Sequence, residues 1–551
     1  MNDESQASRS DAFRDRPEIH VEAAHEEHLG PPRLNPSGGP GGTFAPPPPS
    51  LEHPGPPAWA LAVDQERPGQ RRTARRAVNL VAIVALVLGV TAAISSTPLG
   101  ALLGRGGDNG GTAAAPGASP SASGAAAPAD GRYDLREAGV YLLSNDSQRN
   151  QVAAFARNQN GRLRLVGRYD TGGTGSGSFE DASQGLVLGT SQGEASPIHN
   201  IDRAELLFVT NAGSNSITTF RVRADKLELA STVPSGGEKP VSITVNRGLV
   251  YVLNSGEFDN RLTTNGEDGL ENCTSGQLPS ITGFRVTPAG VLTQIPGSTR
   301  LLTGAAESGC AQVSFTPDGT MIVVTERIGG RSEPEPPGDT AKGAILTFPV
   351  RADGTLGTVS ITEPTSNGPF GFTFTRDGKM LMTEQNGAFD NIGGGTVTSY
   401  RLATGGSVPD PFLNPAGGRP VIPIGDLEKT ESTDPCWIVL TNDQRLAFVS
   451  SAIGQISSFS VAFDGQMTLL HRAATSADGE DDANDLIGFG VTDLALSRDS
   501  RYLYQLHSFE GKVYVFLVNP NGTLTYVEQH DVFDLTVYIR NEGPPYGIAA
   551  F

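Results

Sequence analysis

Three cysteines in 551 residues cannot build a disulfide framework; at most one bridge forms and one thiol is left over. Basic residues are short as well: 41 Lys and Arg stand against 60 Asp and Glu, a formal net charge of -19. That balance excludes a nucleic-acid binder, which needs a basic surface to meet phosphate. Aromatic residues make up only 7% of the chain, and no helical periodicity runs through it. The chain carries no H-E-x-x-H pair and no phosphate loop. What is abundant is Gly (68) and Pro (39), the composition of a turn-rich all-β protein with unstructured flanks.

Long apolar runs are scarce too, and the exception is local. Residues 1–70 run through NPSGGPGGTFAPPPPSLEHPGPP and read as a disordered, Pro/Gly-rich cytoplasmic tail. QRRTARR (70–76) then leads into AVNLVAIVALVLGVTAAIS (77–95), a stretch without charge and near the length that spans a bilayer. With Arg71, Arg72, Arg75 and Arg76 on its N-terminal side, residues 71–96 are expected to form a transmembrane signal anchor, N-terminus inside. A cleaved signal, and hence a secreted product, is the alternative. Residues 97–131 read as a Gly/Ala/Ser/Pro linker. This organisation predicts a single-pass protein of the cell membrane, its folded part at 132–551 lying outside in the periplasm or extracellular space.

Within 132–551 one sentence is rewritten seven times. ITTF (217–220) has counterparts in VAAF (152–155), ITGF (281–284), ILTF (345–348), VTSY (397–400), ISSF (456–459) and VYVF (513–516), spaced 52 to 65 residues apart. Each is preceded by another strand-like run, such as LLFVTN (206–211) or MIVVTE (321–326). Further upstream lie QVSFTPDG (312–319), GFTFTRDG (371–378), WIVLTNDQ (437–444) and DLALSRDS (493–500) as innermost strands with turns. Four short strands in seven units predict an all-β, seven-bladed β-propeller. The first unit lacks an innermost strand, and YGIAAF (546–551) is an orphan one, so the C-terminal strand is expected to close the ring.

In such a blade the long insertions at 255–280, 327–343, 385–395 and 475–490 share one face, and they are acidic. Clustered carboxylates are hard-cation ligands, which makes Ca²⁺ a candidate; no cofactor is otherwise required. Cys273 and Cys310 come from adjacent blades on that face and are a candidate disulfide, against the alternative of buried thiols. The ends of the second strands ring the channel mouth: Asn145, Asn211, Asn254, Glu326, Glu384, Ser451 and His507. Glu326 and Glu384, with Arg327 beside the first, are candidates to activate water and stabilise an oxyanion, and His507 joins them as a catalytic candidate. Asn145, Asn211, Asn254, Gln312, Trp437 and Ser451 are substrate-binding candidates.

The stretches SNSITTFRV…LELASTVPSGGEKPVSITV, ITGFRVTPAGVLTQIPGSTR, CAQVSFTPDGTMIVVTE and DLALSRDSRYLY make residues 139–551 resemble the seven-bladed lactonase propellers, the family of bacterial 6-phosphogluconolactonase and fungal carboxymuconate cyclase. FVTNAGSNSITTF also looks like the YVTN repeat of surface-layer propellers. The first resemblance implies hydrolysis of a small-molecule lactone. The second implies a non-catalytic propeller that binds a protein or glycan through its insertions. Family lactonases carry histidines where inner strands begin; here those places hold Gln312, Phe370, Gly371 and Trp437, so a phosphorylated substrate is not implied.

Overall fold

Four turns of one chemistry set the inner hairpins. In each, a Thr or Ser hydroxyl donates to an Asp two residues on: Thr316 to Asp318 (2.6 Å), Thr375 to Asp377 (2.6 Å), Thr441 to Asp443 (2.7 Å) and Ser497 to Asp499 (2.6 Å). The chain then returns through a left-handed residue, Gly319, Gly378, Gln444 or Ser500. Such local bonding stabilises the turn and fixes the register of the strands that flank it.

A computed structural model describes residues 134–196, 201–256, 278–303, 309–327, 342–386, 391, 393–403, 418–452, 455–475, 490–533 and 544–551. They form seven antiparallel sheets of four or five strands, the blades of a propeller. The innermost strands of blades 2 to 7 are Leu186–Gly189, Pro240–Asn246, Cys310–Phe315, Pro369–Phe374, Pro435–Leu440 and Val491–Leu496. Blade 1 takes its innermost strand from Ile548–Ala550, which pairs with Gly139–Leu143 in the register Val140↔Ala550, Tyr141↔Ala549 and Leu142↔Ile548. The ring therefore closes with the two ends of the propeller in one sheet, as the orphan strand predicted.

Packing lies mainly between blades. Val323 and Ile345 of blade 4 meet Phe372, Met380, Met382 and Tyr400 of blade 5, and Val187 and Phe208 of blade 2 meet Ile243, Val250 and Phe284 of blade 3. Each large side chain buried this way contributes about 1.5–3 kcal/mol. The third strands alternate less because both faces are covered, while the outermost ones, such as Leu227–Pro234, alternate between half-buried and exposed.

The expected membrane anchor is corrected. Among the described residues no helix is long and apolar enough to cross a membrane. Their α-helix, Leu135–Ala138, has four residues, where a span needs about twenty. Residues 71–96, with the 1–70 tail and the 97–131 linker, lie outside the described residues. The single-pass topology, the membrane as partner and the membrane location all rested on that helix, and no helix of the described residues supplies it.

Candidate functional site

The residue leading into six of the seven innermost strands is left-handed, and in four blades it is glycine: Gly309, Gly368, Gly490 and Gly547. Blades 3 and 6 break the pattern with Lys239 (φ 52°) and Asp434 (φ 60°), each followed by proline. A non-glycine residue in this region carries a conformational cost of about 1–3 kcal/mol, and such costs gather at functional sites. Both side chains are buried, and both belong to one cluster at the channel mouth.

The cluster is completed by a strap. After the outer strand of blade 1, the Gly-rich run TGGTGSGS carries the chain inward, and FEDASQ (179–184) crosses the mouth before blade 2 begins. Asn145 of blade 1 donates to Ser178 O (2.7 Å), Ile243 N of blade 3 to Gln184 O (3.0 Å), Ser183 N to Ala311 O of blade 4 (2.9 Å), and Trp437 Nε1 of blade 6 to Ala182 O (3.0 Å). Phe179 stacks on Phe509 of blade 7 with centroids 5.3 Å apart. The strap is thus tied to five blades, and it holds two acids over the axis.

Glu180 pairs with Lys239 Nζ (3.4 Å) and also accepts from Ser176 Oγ. Asp181 pairs with Arg327 Nη1 (2.5 Å), whose guanidinium lies 5.9 Å from the Phe370 ring centroid. Gln385 donates to Cys436 Sγ (3.3 Å), and its side chain acts to lower both the Asp181 and the Asp434 carboxyls. Burial raises the Glu180 and Asp181 carboxyls, against the pull of Lys239 and Arg327. Burial, then the charge of Asp181, pushes Asp434 up to about 7. Burial likewise lifts the Cys436 thiol well above its ordinary range, which leaves it neutral and unreactive. Nearby, Asn254, paired across the sheet with Pro240, is 1% exposed and, among the described residues, has no hydrogen-bond partner for either side-chain polar atom. A buried amide without partners is costly unless a ligand satisfies it.

The expected residues are dispersed by this geometry. Arg327, Asn254 and Trp437 join the cluster or its border. Glu384 does not: its carboxylate accepts from Ser366 N (3.2 Å), Thr396 Oγ1 (3.0 Å), Thr398 Oγ1 (2.7 Å) and Tyr400 Oη (2.6 Å), all within blade 5 or its approach. Burial and that carboxylate together raise the Tyr400 hydroxyl far above its usual range. Glu326 is fully buried at the matching position of blade 4. Asn145 holds the strap, Asn211 bonds Asn150, Ser216 and Thr218, and Ser451 meets Ser432 at 2.6 Å. Gln312 clamps blades 4 and 5 through Phe372 N (2.9 Å) and Phe372 O (2.8 Å). His507 Nδ1 accepts from Glu510 N (3.2 Å) and caps a short 3₁₀ turn. Cys310 is buried, while Cys273 and the acidic insertions that suggested Ca²⁺ lie outside the described residues; among the described ones no group of three His, Cys, Asp or Glu could hold a metal ion. The strap acids and Lys239 were missed because the repeat draws attention to strands, whereas these residues stand where the repeat is broken.

Two outcomes follow from this placement. Glu384→Leu strands four donors inside blade 5 and is expected to cost about 3–5 kcal/mol of stability, read by urea denaturation; a loss under about 1 kcal/mol would contradict it. The second concerns Asp493, on the inner strand of blade 7, which burial pushes up to about 7 although it accepts from the backbone of Leu494 (2.9 Å) and Ile548 (3.4 Å). Its unfolded value is about 3.9, so folding takes up a proton between those limits. The stability it contributes is complete below about pH 4 and is lost as pH rises through about 7. Asp493→Asn should therefore flatten the stability-versus-pH curve between pH 5 and 8 by about 2 kcal/mol. Parallel curves for both proteins would count against that titration.

Residues 141–269 match the family described as "Lactonase, 7-bladed beta-propeller". Among solved structures, the chain is similar to the periplasmic gluconolactonase of Pseudomonas aeruginosa, at 14% identity and a TM-score of 0.50, covering 75% of this chain and 98% of that one. It is similar to the same degree to a protein from Lactobacillus plantarum, at 14% identity and a TM-score of 0.50, covering 76% of this chain and 99% of that one. At these identities the likeness is one of fold. No curated protein matches the chain.

Proposed function

We propose that the chain hydrolyses a lactone or related cyclic ester at the channel mouth, with Asp434 as the acid–base group. The observation that carries this reading is the buried meeting of Asp434, Asp181 and Arg327 on three separate elements. A carboxyl titrating at about 7 is matched to proton transfer at neutral pH. As water attacks the lactone carbonyl carbon, Asp434 takes its proton. As the acyl carbon–oxygen bond breaks, that proton passes to the departing ring oxygen, and a hydroxy acid leaves. Arg327, whose charge bears on Asp434, is the donor assigned to the developing oxyanion, and the Asn254 amide is assigned to a substrate hydroxyl.

Substrate charge follows from the same residues. Glu180 is balanced by Lys239 and Asp181 by Arg327, so the pairs leave no positive excess to receive a phosphate. The match of residues 141–269 to the lactonase family supports the reaction class. The test is hydrolysis of a panel of uncharged sugar and aliphatic lactones by the full-length chain across pH 5 to 9. Turnover that rises through about pH 7, as a base with that value must deprotonate, is the expected result. No turnover above buffer on any lactone would leave a propeller that binds without catalysis.

A further inference from the structure

Ser183 and Gln184 border a second space whose lining includes none of Glu180, Asp181, Lys239, Arg327 or Asp434. It is a cavity of about 140 Å³ between the inner strands of blades 1, 2, 5, 6 and 7. Leu186, Ile201, Phe372, Ile438, Leu494 and Ile548 give it an apolar wall. Asp493 stands at the strap end, and the inner hairpin turns with Arg376 and Arg498 stand at the other. Five residues of strand separate Asp493 from Arg498, roughly 16 Å.

We propose that this cavity binds a small apolar monocarboxylate, an aromatic or branched acid of about the size of benzoate, with its carboxylate at the Arg376 and Arg498 end. Size is the first argument, since a dry cavity of roughly 150 Å³ accommodates benzene. Charge is the second. Arg376 donates to uncharged acceptors, Asn442 O at 2.5 Å and Asn442 Oδ1, so its positive charge is not neutralised there. Arg498 pairs with Asp202, whose side chain is 99% exposed, a contact that water screens. The turn aspartates Asp377, Asp443 and Asp499, held by Thr375, Thr441 and Ser497, are not among the residues that line the cavity, whereas Arg376 and Arg498 are. In a chain of net charge -19, two arginines thus stand where the apolar wall of the cavity opens. An apolar body with one anionic end satisfies both parts, and a neutral ligand satisfies only one.

The experiment titrates benzoate and its uncharged counterpart benzyl alcohol into the full-length chain, followed by saturation-transfer NMR and calorimetry. Benzoate should saturate and bind at least about fivefold more tightly than benzyl alcohol. Arg376→Gln, an exposed substitution, should erase that preference and leave benzyl alcohol unchanged. Asp434→Asn at the opposite mouth should leave both ligands unaffected. Equal affinity for the two probes, absence of saturation, or loss of benzoate binding in Asp434→Asn with Arg376→Gln intact would each overturn the proposal.

Discussion

Asp434→Asn is expected to lower kcat/KM for the proposed lactone hydrolysis by roughly a hundred- to a thousandfold, the size of effect that loss of a positioned acid–base group produces. The substitution keeps the volume of the side chain and an oxygen for Gln385, so the inner strand of blade 6 should hold its place. What it removes is the proton carrier. The rising limb of the pH–rate profile near 7 should disappear with it, an effect that a merely structural residue would not produce. Near-UV circular dichroism on the same sample establishes that the cluster is still packed. Arg327→Gln is a harsher change, because it leaves Asp181 buried without its cation and should cost about 3–5 kcal/mol of stability besides activity. An Asp434→Asn protein that stays folded and retains more than a tenth of the parent rate would remove Asp434 from the mechanism.

Deleting residues 544–551 should be the most damaging change to stability. Tyr546, Ile548, Ala550 and Phe551 are buried or nearly so, and Tyr546 Oη donates to Val241 O (3.1 Å) across the ring. Loss of three large side chains at about 1.5–3 kcal/mol each approaches the entire stability of an ordinary domain. The deletion also exposes the edge of Gly139–Leu143, a strand of five buried residues, which becomes a template for aggregation. The expected outcome is an insoluble or non-cooperatively unfolding protein. A milder version, Ala549→Pro, removes a ladder donor opposite Tyr141 and should cost about 3 kcal/mol. A truncated chain that melts cooperatively near the parent temperature would show that closure through blade 1 does not hold the ring.

The propeller was legible because its chemistry is local. Alternation of apolar residues, Thr-x-Asp turns and a repeat of 52 to 65 residues each act over a few positions, so ITTF and its counterparts announce third strands without knowledge of anything distant. Even the closing strand could be read by elimination, since YGIAAF had no partners of its own. The anchor was read by the same local logic, from length and charge around 77–95, and no membrane-crossing helix among the described residues answers to it.

The candidate site was far less legible. Ring position at the end of a second strand looked equivalent for Asn145, Glu326, Glu384 and His507, yet each side chain meets different neighbours. Glu384 turns into a cage of Thr396, Thr398 and Tyr400, while Gln385 beside it faces Asp181 and Asp434, because successive residues in a strand point to opposite sides. One signal was available: Lys239 and Asp434 replace glycine at a left-handed position that recurs around the ring. Sequence alone thus determined the seven repeated units and the closure, since backbone periodicity and turn chemistry need only near neighbours, while two blades carry a fifth strand that the repeat did not announce. Tertiary structure alone decided which charges meet, because Asp181, Arg327 and Asp434 are separated by more than a hundred residues each and come together only where a strap crosses the axis of a closed ring.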